Sequence, residues 1–305
     1  MEFSLINLVL SVTTANESAL LQRLFRCGAE FSSTCRDIVC RWPVRDCHEC
    51  STRHDCTWHR VFGQELTVDP EALKRHQKPP LPFVFTFENP AIASDNPGLV
   101  TVRLIVIGKA ILCLEMLLKG FSILLEKQTK HIKCEVGEVA SVGYHEDAHA
   151  LGEGCCINFP ENLTILSTAG LIEKWPWSCD RIRLIFETPL RLFDKGHILK
   201  SFDTGLFIRS LLRRISSLAY YYGENCSEPD FKELSRHVDQ ISCCDNYFQY
   251  QPLWQATNKL SGIVGNGVVY GALNDLMPFI ILGSYLHAGK GSSFGMGKYA
   301  LYTDQ

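Results

Sequence analysis

The sequence predicts an α+β protein built of two β-α-β-type modules in series, and three observations predict it. Segments with apolar residues at every second position are followed by segments with helical apolar spacing. The order strand, helix, strand occurs in residues 1–150 and recurs in 151–305. The 305 residues, 46% hydrophobic and 21% charged, suffice for two modest cores.

Residues 2–12 place Ile6, Leu8, Leu10 and Val12 on one face at period two, which reads as a strand. A helix over 17–29 starts after Asn16. The cysteine- and histidine-rich stretch 35–62 and the proline-punctuated passage 69–99 read as irregular connection, apart from an extended strand at Phe83–Phe87. The β-branched run Val100–Ile107 and Gly108 lead into a helix with Ile111, Leu114, Leu118, Phe121 and Leu125 on one face. A strand near 131–144 completes the first module.

In the second module Arg181–Glu187 turns Ile182, Leu184 and Phe186 inward, and Asp194-Lys195-Gly196 reads as a turn. A helix over 204–222 has Leu211, Ile215, Leu218 and Tyr222 on its apolar face, with Arg209, Arg213 and Arg214 opposite. Gly265-Asn266-Gly267 reads as a hairpin turn between short strands. An apolar helix over 273–287 then runs into a glycine-rich loop, 287–299, and a last strand, 298–303. No short repeat or low-complexity tract is visible, so the duplication is one of element order.

The formal charge of −3 gives no global basic field, so a nucleic-acid surface has to be a local patch. Ala110–Leu118 and Leu276–Leu286 are too short or too charged for a membrane span of about 20 apolar residues. The N-terminal residues lack the cationic and apolar pattern of a secretion signal. A soluble cytoplasmic protein is expected.

In the glycine loop, Gly289, Gly291, Gly295 and Gly297 alternate with Lys290, Ser292, Ser293 and Lys298. Glycines let a backbone approach a phosphate chain, while amides, hydroxyls and ammonium groups supply donors, so the loop suits a polyanion. It is not a P-loop, because Gly291 follows Lys290 where Ser or Thr is required and Gly283 stands five residues before Gly289. It is not a dinucleotide fingerprint either, since it follows a helix rather than a strand. A plain C-terminal connection with glycines for flexibility is the alternative.

The stretch Gly267-Val268-Val269-Tyr270-Gly271, Leu276-Met277-Pro278-Phe279, Leu282-Gly283 and Leu286 to Tyr299 closely resembles the C-terminal signature of CRISPR repeat-RNA processing endoribonucleases. These form the sixth Cas family, in the RAMP superfamily. Ile182–Thr188 with Pro189-Leu190-Arg191, then Phe207–Gly223, looks like the start of that family's C-terminal domain. The first half matches more loosely, through the cysteine-rich segment, residues 80–83 and 102–118. The resemblance implies two tandem ferredoxin-like (RRM-like) domains, 1–150 with a Cys-rich insertion at 35–62 and 151–305 with the RNA-binding loop. It also implies metal-independent cleavage of precursor CRISPR RNA, giving a 2′,3′-cyclic phosphate and a 5′-hydroxyl.

That chemistry needs a base for the 2′-hydroxyl, an acid for the leaving oxygen and cations for the phosphorane, and histidine suits the first two. His287 stands at the mouth of the loop with Lys290 as charge stabiliser, though it could equally cap the preceding helix or pack beneath the loop. Family members often carry the histidine in the N-terminal domain, where His48, His54 and His59 lie, and His59 ranks second to His287. Arg209, Arg213 and Arg214 are either phosphate contacts or a solvated face. His145 and His149 lack a zinc-protease spacing and read as a solvated loop.

Fourteen cysteines without a secretion signal point to metal or structure rather than to disulfides. Cys40, Cys47, Cys50 and Cys56, with six, two and five residues between them, are candidates for a structural zinc site, since the two-residue gap lets both sulfurs meet one ion. Unpaired thiols are the alternative. No cofactor is expected for catalysis. The expected partners are CRISPR repeat RNA and other Cas subunits, and the rival to an enzyme is a non-catalytic crRNA-binding subunit of an effector complex.

Overall fold

The computed structural model describes residues 2–42, 46–76, 78–87, 98–127, 134–153, 156–157, 163–175, 180–223, 230–252 and 260–303. The chain opens with β1 (Ser4–Thr14) and α1 (Glu17–Leu24). Asn16 caps α1 by accepting the Ala19 amide at 3.0 Å, which satisfies a donor the helix leaves unpaired. A second helix, α2 (Gly28–Val39), crosses the start of the stretch expected to be irregular. Its Phe31, Thr34 and Cys35 are buried, so the cysteines mask an ordinary amphipathic period. Two short 3-10 turns, Cys47–Glu49 and Arg53–Asp55, precede α3 (Thr57–Phe62) and α4 (Pro70–Arg75).

Then come β2 (Phe83–Phe87), β3 (Leu99–Ile107), a 3-10 turn at Gly108–Cys113, α5 (Leu114–Glu126) and β4 (Cys134–Val142). The first residues of the strand expected from 131 lie outside the described residues. The sheet order is β2-β3-β1-β4, all neighbours antiparallel, and it continues into β5 (Ala148–Glu153) and β6 (Cys156–Ile157). The short β7 (Leu166–Ser167) also pairs with β1. The first sheet therefore takes strands beyond the boundary expected at 150.

After α6 (Thr168–Glu173), the second unit repeats the order. It consists of β8 (Arg181–Leu190), the hairpin β9 (Phe193–Asp194) and β10 (His197–Ile198), and α7 (Thr204–Tyr222). α8 (Phe231–Val238), β11 (Ser242–Cys244), β12 (Gln249–Gln251), β13 (Gly262–Tyr270), α9 (Met277–Leu286) and β14 (Tyr299–Thr303) complete it. Its sheet runs β11-β13-β8-β14, the same order as β2-β3-β1-β4, so both units are ferredoxin-like. The hairpin expected at Gly265-Asn266-Gly267 is instead one continuous strand with a bulge between Ile263 and Gly265. An added Cβ at Gly265 would lie 2.3 Å from the Tyr247 carbonyl oxygen, so this glycine marks a close backbone approach and not a reversal.

Ile6, Leu8, Leu10 and Val12 of β1 meet Phe83, Phe85, Phe87 and the helices of the first unit in one core. The opposite face of the same sheet, through Leu5, Val84, Ile105 and Ile107, joins the core of the second unit with Phe207, Leu211, Ile280 and Ile281. The first sheet is thus covered on both sides, which is why Phe83–Phe87 is buried throughout and does not alternate. The turn after β3 rests directly on the end of α7, since a Cβ at Gly108 would fall 2.0 Å from the Tyr222 carbonyl oxygen.

Candidate active site

The glycine loop is folded between the two units. Phe85 donates its amide to the Ser293 carbonyl at 2.9 Å. The Phe294 ring packs edge-on to Phe83 and stacks on Phe85, with centroids 5.5 and 6.2 Å away. Thr188 donates its hydroxyl to the Gly295 carbonyl at 2.7 Å, and Lys298 donates its amide to Thr188 Oγ1 at 2.8 Å. All four loop glycines have positive φ. A Cβ at Gly289 would lie 2.5 Å from the Arg191 carbonyl, and one at Gly295 would lie 2.8 Å from the Phe25 ring. Protein contacts by themselves call for glycine at these two positions.

The residues expected to bind RNA are placed as follows. Ser292, Ser293, Gly295 and Gly297 are buried, Gly289 is half-buried, and Lys298 is ion-paired to Glu187 at 2.8 Å. Arg209 pairs with Asp239, the residue just after the neighbouring α8. Arg214 turns inward, where its Nε donates to the Leu286 carbonyl at 3.0 Å and so caps the end of α9. Burial lowers its pKa to about 10. Lys290, Gly291 and Arg213 stay exposed.

His287, expected as a catalyst, lies deep in the structure. It is 1% exposed, and its Nε2 faces Thr86 Oγ1 at 3.0 Å across the junction between the units. Burial, aided by Lys298 and Arg214, pushes its pKa down to about 3. At neutral pH such an imidazole is uncharged and a weak base. It packs beneath the loop, while the helix end it follows is capped by Arg214.

His59 has a different setting. It sits on α3 at the wall of a cleft that Arg60, Gln64, Glu65, Pro79, Tyr221 and Tyr222 also line. Its Nε2 lies 3.4 Å from Glu65 Oε1. The far wall is held in place by three tyrosines at the end of α7. Tyr221 donates to the His76 carbonyl and Tyr222 to the Pro80 carbonyl, each at 2.9 Å, and Tyr220 shares a 2.9 Å hydrogen bond with Thr67 Oγ1. The cleft is therefore built from both units, with a histidine, a carboxylate and an exposed arginine together. His54 is exposed, the His48 side chain lies outside the described residues, and Asp147 holds His149 at 3.2 Å in an exposed turn.

A basic edge not anticipated from the sequence lies beside the loop. Lys290 donates its amide to the Arg191 carbonyl at 2.9 Å, and its ammonium sits 5.1 Å from the centre of the Phe193 ring. Lys195 and Gly196 both have positive φ, which gives the hairpin a tight two-residue turn and projects exposed Lys195 and His197. The Asp-Lys-Gly turn is legible in the sequence, and the aromatic Phe193 and basic Lys290 that meet beside it are not neighbours in it.

Cys40, Cys47, Cys50 and Cys56 line one small pocket with Arg36, Trp42, Arg53, Trp58 and His59. Cys50 Sγ lies 3.4 Å from Thr52 Oγ1, and Cys40 hydrogen-bonds Arg36. Among the described residues no three His, Cys, Asp or Glu side chains are grouped to hold a metal ion. The four thiols expected to hold zinc line this one pocket together. Among the described residues, no helix is long and apolar enough to cross a membrane.

Residues 184–299 match the family model for the CRISPR-associated endoribonuclease Cas6, and residues 28–153 match a model described as an N-terminal domain. No curated protein matches the sequence. Among solved structures, a Cas6 of Thermus thermophilus superposes with a TM-score of 0.54 at 15% identity, covering 98% of this chain and 99% of that one. A product complex of that Cas6 gives 0.55 at 13% identity, covering 98% and 100%. A partial Cas6-RT-Cas1–Cas2 complex gives 0.57 at 12% identity, covering 99% of this chain and 46% of the other.

Proposed function

We propose, from the premise that this chain is a Cas6-type protein, that it binds CRISPR repeat RNA and cuts it at the cleft around His59. The observation that carries this reading is the grouping of His59, Glu65 and Arg60 in one cleft built by both units. His59 takes the proton of a 2′-hydroxyl, the oxygen attacks the adjacent phosphorus, and the bond to the 5′-oxygen breaks as that oxygen takes a proton from water, to which the His59 imidazolium then returns the one it accepted. The products are a 2′,3′-cyclic phosphate and a 5′-hydroxyl. Arg60 supplies positive charge where the phosphorane gains negative charge. In this reading the chain's own side chains carry the proton transfer and the charge contact, and cleavage needs no metal ion. No step runs through the four thiols.

The edge formed by Lys290, Phe193, Lys195 and His197 binds the repeat by charge and stacking and retains the cut product. Neighbours of this fold are a product complex and a Cas6-RT-Cas1–Cas2 complex, which supports repeat RNA and other Cas proteins as partners. Replacing Lys195 and Lys290 together by alanine is expected to weaken repeat binding. It should also flatten the plot of log affinity against log salt by roughly 0.7 to 0.9 for each phosphate that the protein ceases to neutralise.

The test is end-labelled repeat RNA incubated with purified protein in excess EDTA. Cleavage leaving a 2′,3′-cyclic phosphate is the expected result. Tight binding without a cut favours the alternative, a non-catalytic crRNA-holding subunit.

A further inference from the structure

We propose that Glu65 is a positioning residue for His59, holding the imidazole in the cleft and stabilising the imidazolium formed when His59 takes the 2′-hydroxyl proton. The proposal rests on the assignment of His59 above and names the group that makes it an effective base. His59 is 9% exposed, so a charge arising on its ring is poorly hydrated and is costly without an anion beside it. Glu65 Oε1, 3.4 Å from Nε2, is that anion.

Two features of the chain place the pair. Gly63 has φ −63, which any residue can adopt, so its dihedral does not call for glycine. A Cβ there would lie 2.5 Å from the His59 carbonyl oxygen, 2.7 Å from His59 Nε2 and 2.8 Å from Cδ2. The glycine leaves room both for the close backbone approach and for the ring to lie across the turn. Gln64 then takes φ +47, a left-handed conformation uncommon outside glycine, and the next residue, Glu65, faces back to the imidazole. Strained backbone in a cleft that holds a histidine is consistent with a built site.

Other charged and titratable groups surround the ring. Arg53 Nε lies 3.5 Å from the same Glu65 oxygen, and Arg60 is on the same helix as His59. Tyr221 and Tyr222 line the cleft from α7 with their hydroxyls donated to carbonyls. Arg36, Cys40, Cys47, Cys50 and Cys56 lie on the side of the thiol pocket.

The experiment is single-turnover cleavage of repeat RNA at saturating protein, across the pH range in which imidazole titrates, for wild type, Glu65→Gln, Arg53→Gln, His59→Ala and the double variant Glu65→Gln/His59→Ala. Glu65→Gln is expected to slow the cut about tenfold or more with RNA affinity unchanged. The acidic limb of its pH–rate profile should move to lower pH, because loss of the anion lowers the proton affinity of the ring. Adding Glu65→Gln to His59→Ala should cost nothing further, as for groups that act as a unit. Arg53→Gln, which removes a cation beside that oxygen and leaves the carboxylate in place, should cut faster than Glu65→Gln. If His59→Ala is inactive while Glu65→Gln keeps both rate and profile, or if Arg53→Gln is as slow as Glu65→Gln, the positioning role is overturned. If His59→Ala cuts at the wild-type rate, the assignment of His59 fails and the positioning role falls with it.

Discussion

Replacing Gly297 by alanine is expected to destabilise the fold by about 3 kcal/mol or more, a loss read as a lower urea midpoint at unchanged slope. Gly297 has φ +68, and a Cβ there would lie 2.0 Å from the Ala288 carbonyl oxygen and 2.9 Å from its carbon. Both are backbone atoms of a fully buried residue, so no side-chain rotation relieves the overlap. The amide of Ala288 donates to the Gly297 carbonyl and the amide of Gly297 to the Pro189 carbonyl, each at 3.1 Å, so a shift of either segment breaks buried hydrogen bonds. Were the loop a free cradle for phosphates, the same substitution would lower RNA affinity and leave the midpoint where it was.

His59→Ala is expected to slow cleavage at saturating RNA by about two to four orders of magnitude while leaving repeat binding close to wild type. The two effects separate because the basic edge proposed to hold the RNA, on the hairpin Phe193–Ile198 and at Lys290, lies on different segments from α3. Loss of the imidazole removes the proton acceptor for the 2′-hydroxyl, yet leaves the Arg60 charge and the tyrosine-held wall of the cleft in place. A matching loss of affinity would show that His59 binds RNA and does not serve the chemistry.

Much of the architecture was legible because periodicity reports burial directly. Thr204–Tyr222 and Phe83–Phe87 match the expected helix and strand, since each presents its apolar residues to a core in an unmixed pattern. The helix α2 was hidden because Thr34 and Cys35 serve as core residues there. The strand β13 was hidden by Gly265 and Gly267, whose missing side chains make room for neighbouring chain. The site was much less legible. A glycine loop bound to protein carries the same composition as one bound to phosphate, and only the packing of Phe294 and the burial of Ser292 and Ser293 tell them apart. Arg214 looks like a surface cation by helical phase, but the arginine stem is long enough to fold back to the end of α9. The pairing of His59 with Glu65 depends on a left-handed Gln64, which no local residue preference announces.

The most direct test is the single-turnover rate of His287→Ala beside His59→Ala on the same repeat RNA, each corrected for the folded fraction. His287→Ala loses a buried hydrogen bond to Thr86 and leaves a cavity under the loop, so its melting temperature should fall. Its rate per folded molecule should stay near wild type while His59→Ala is nearly inactive. A folded His287→Ala protein as inactive as expected for His59→Ala, with His59→Ala cutting normally, would contradict the cleft around His59 as the site of cleavage.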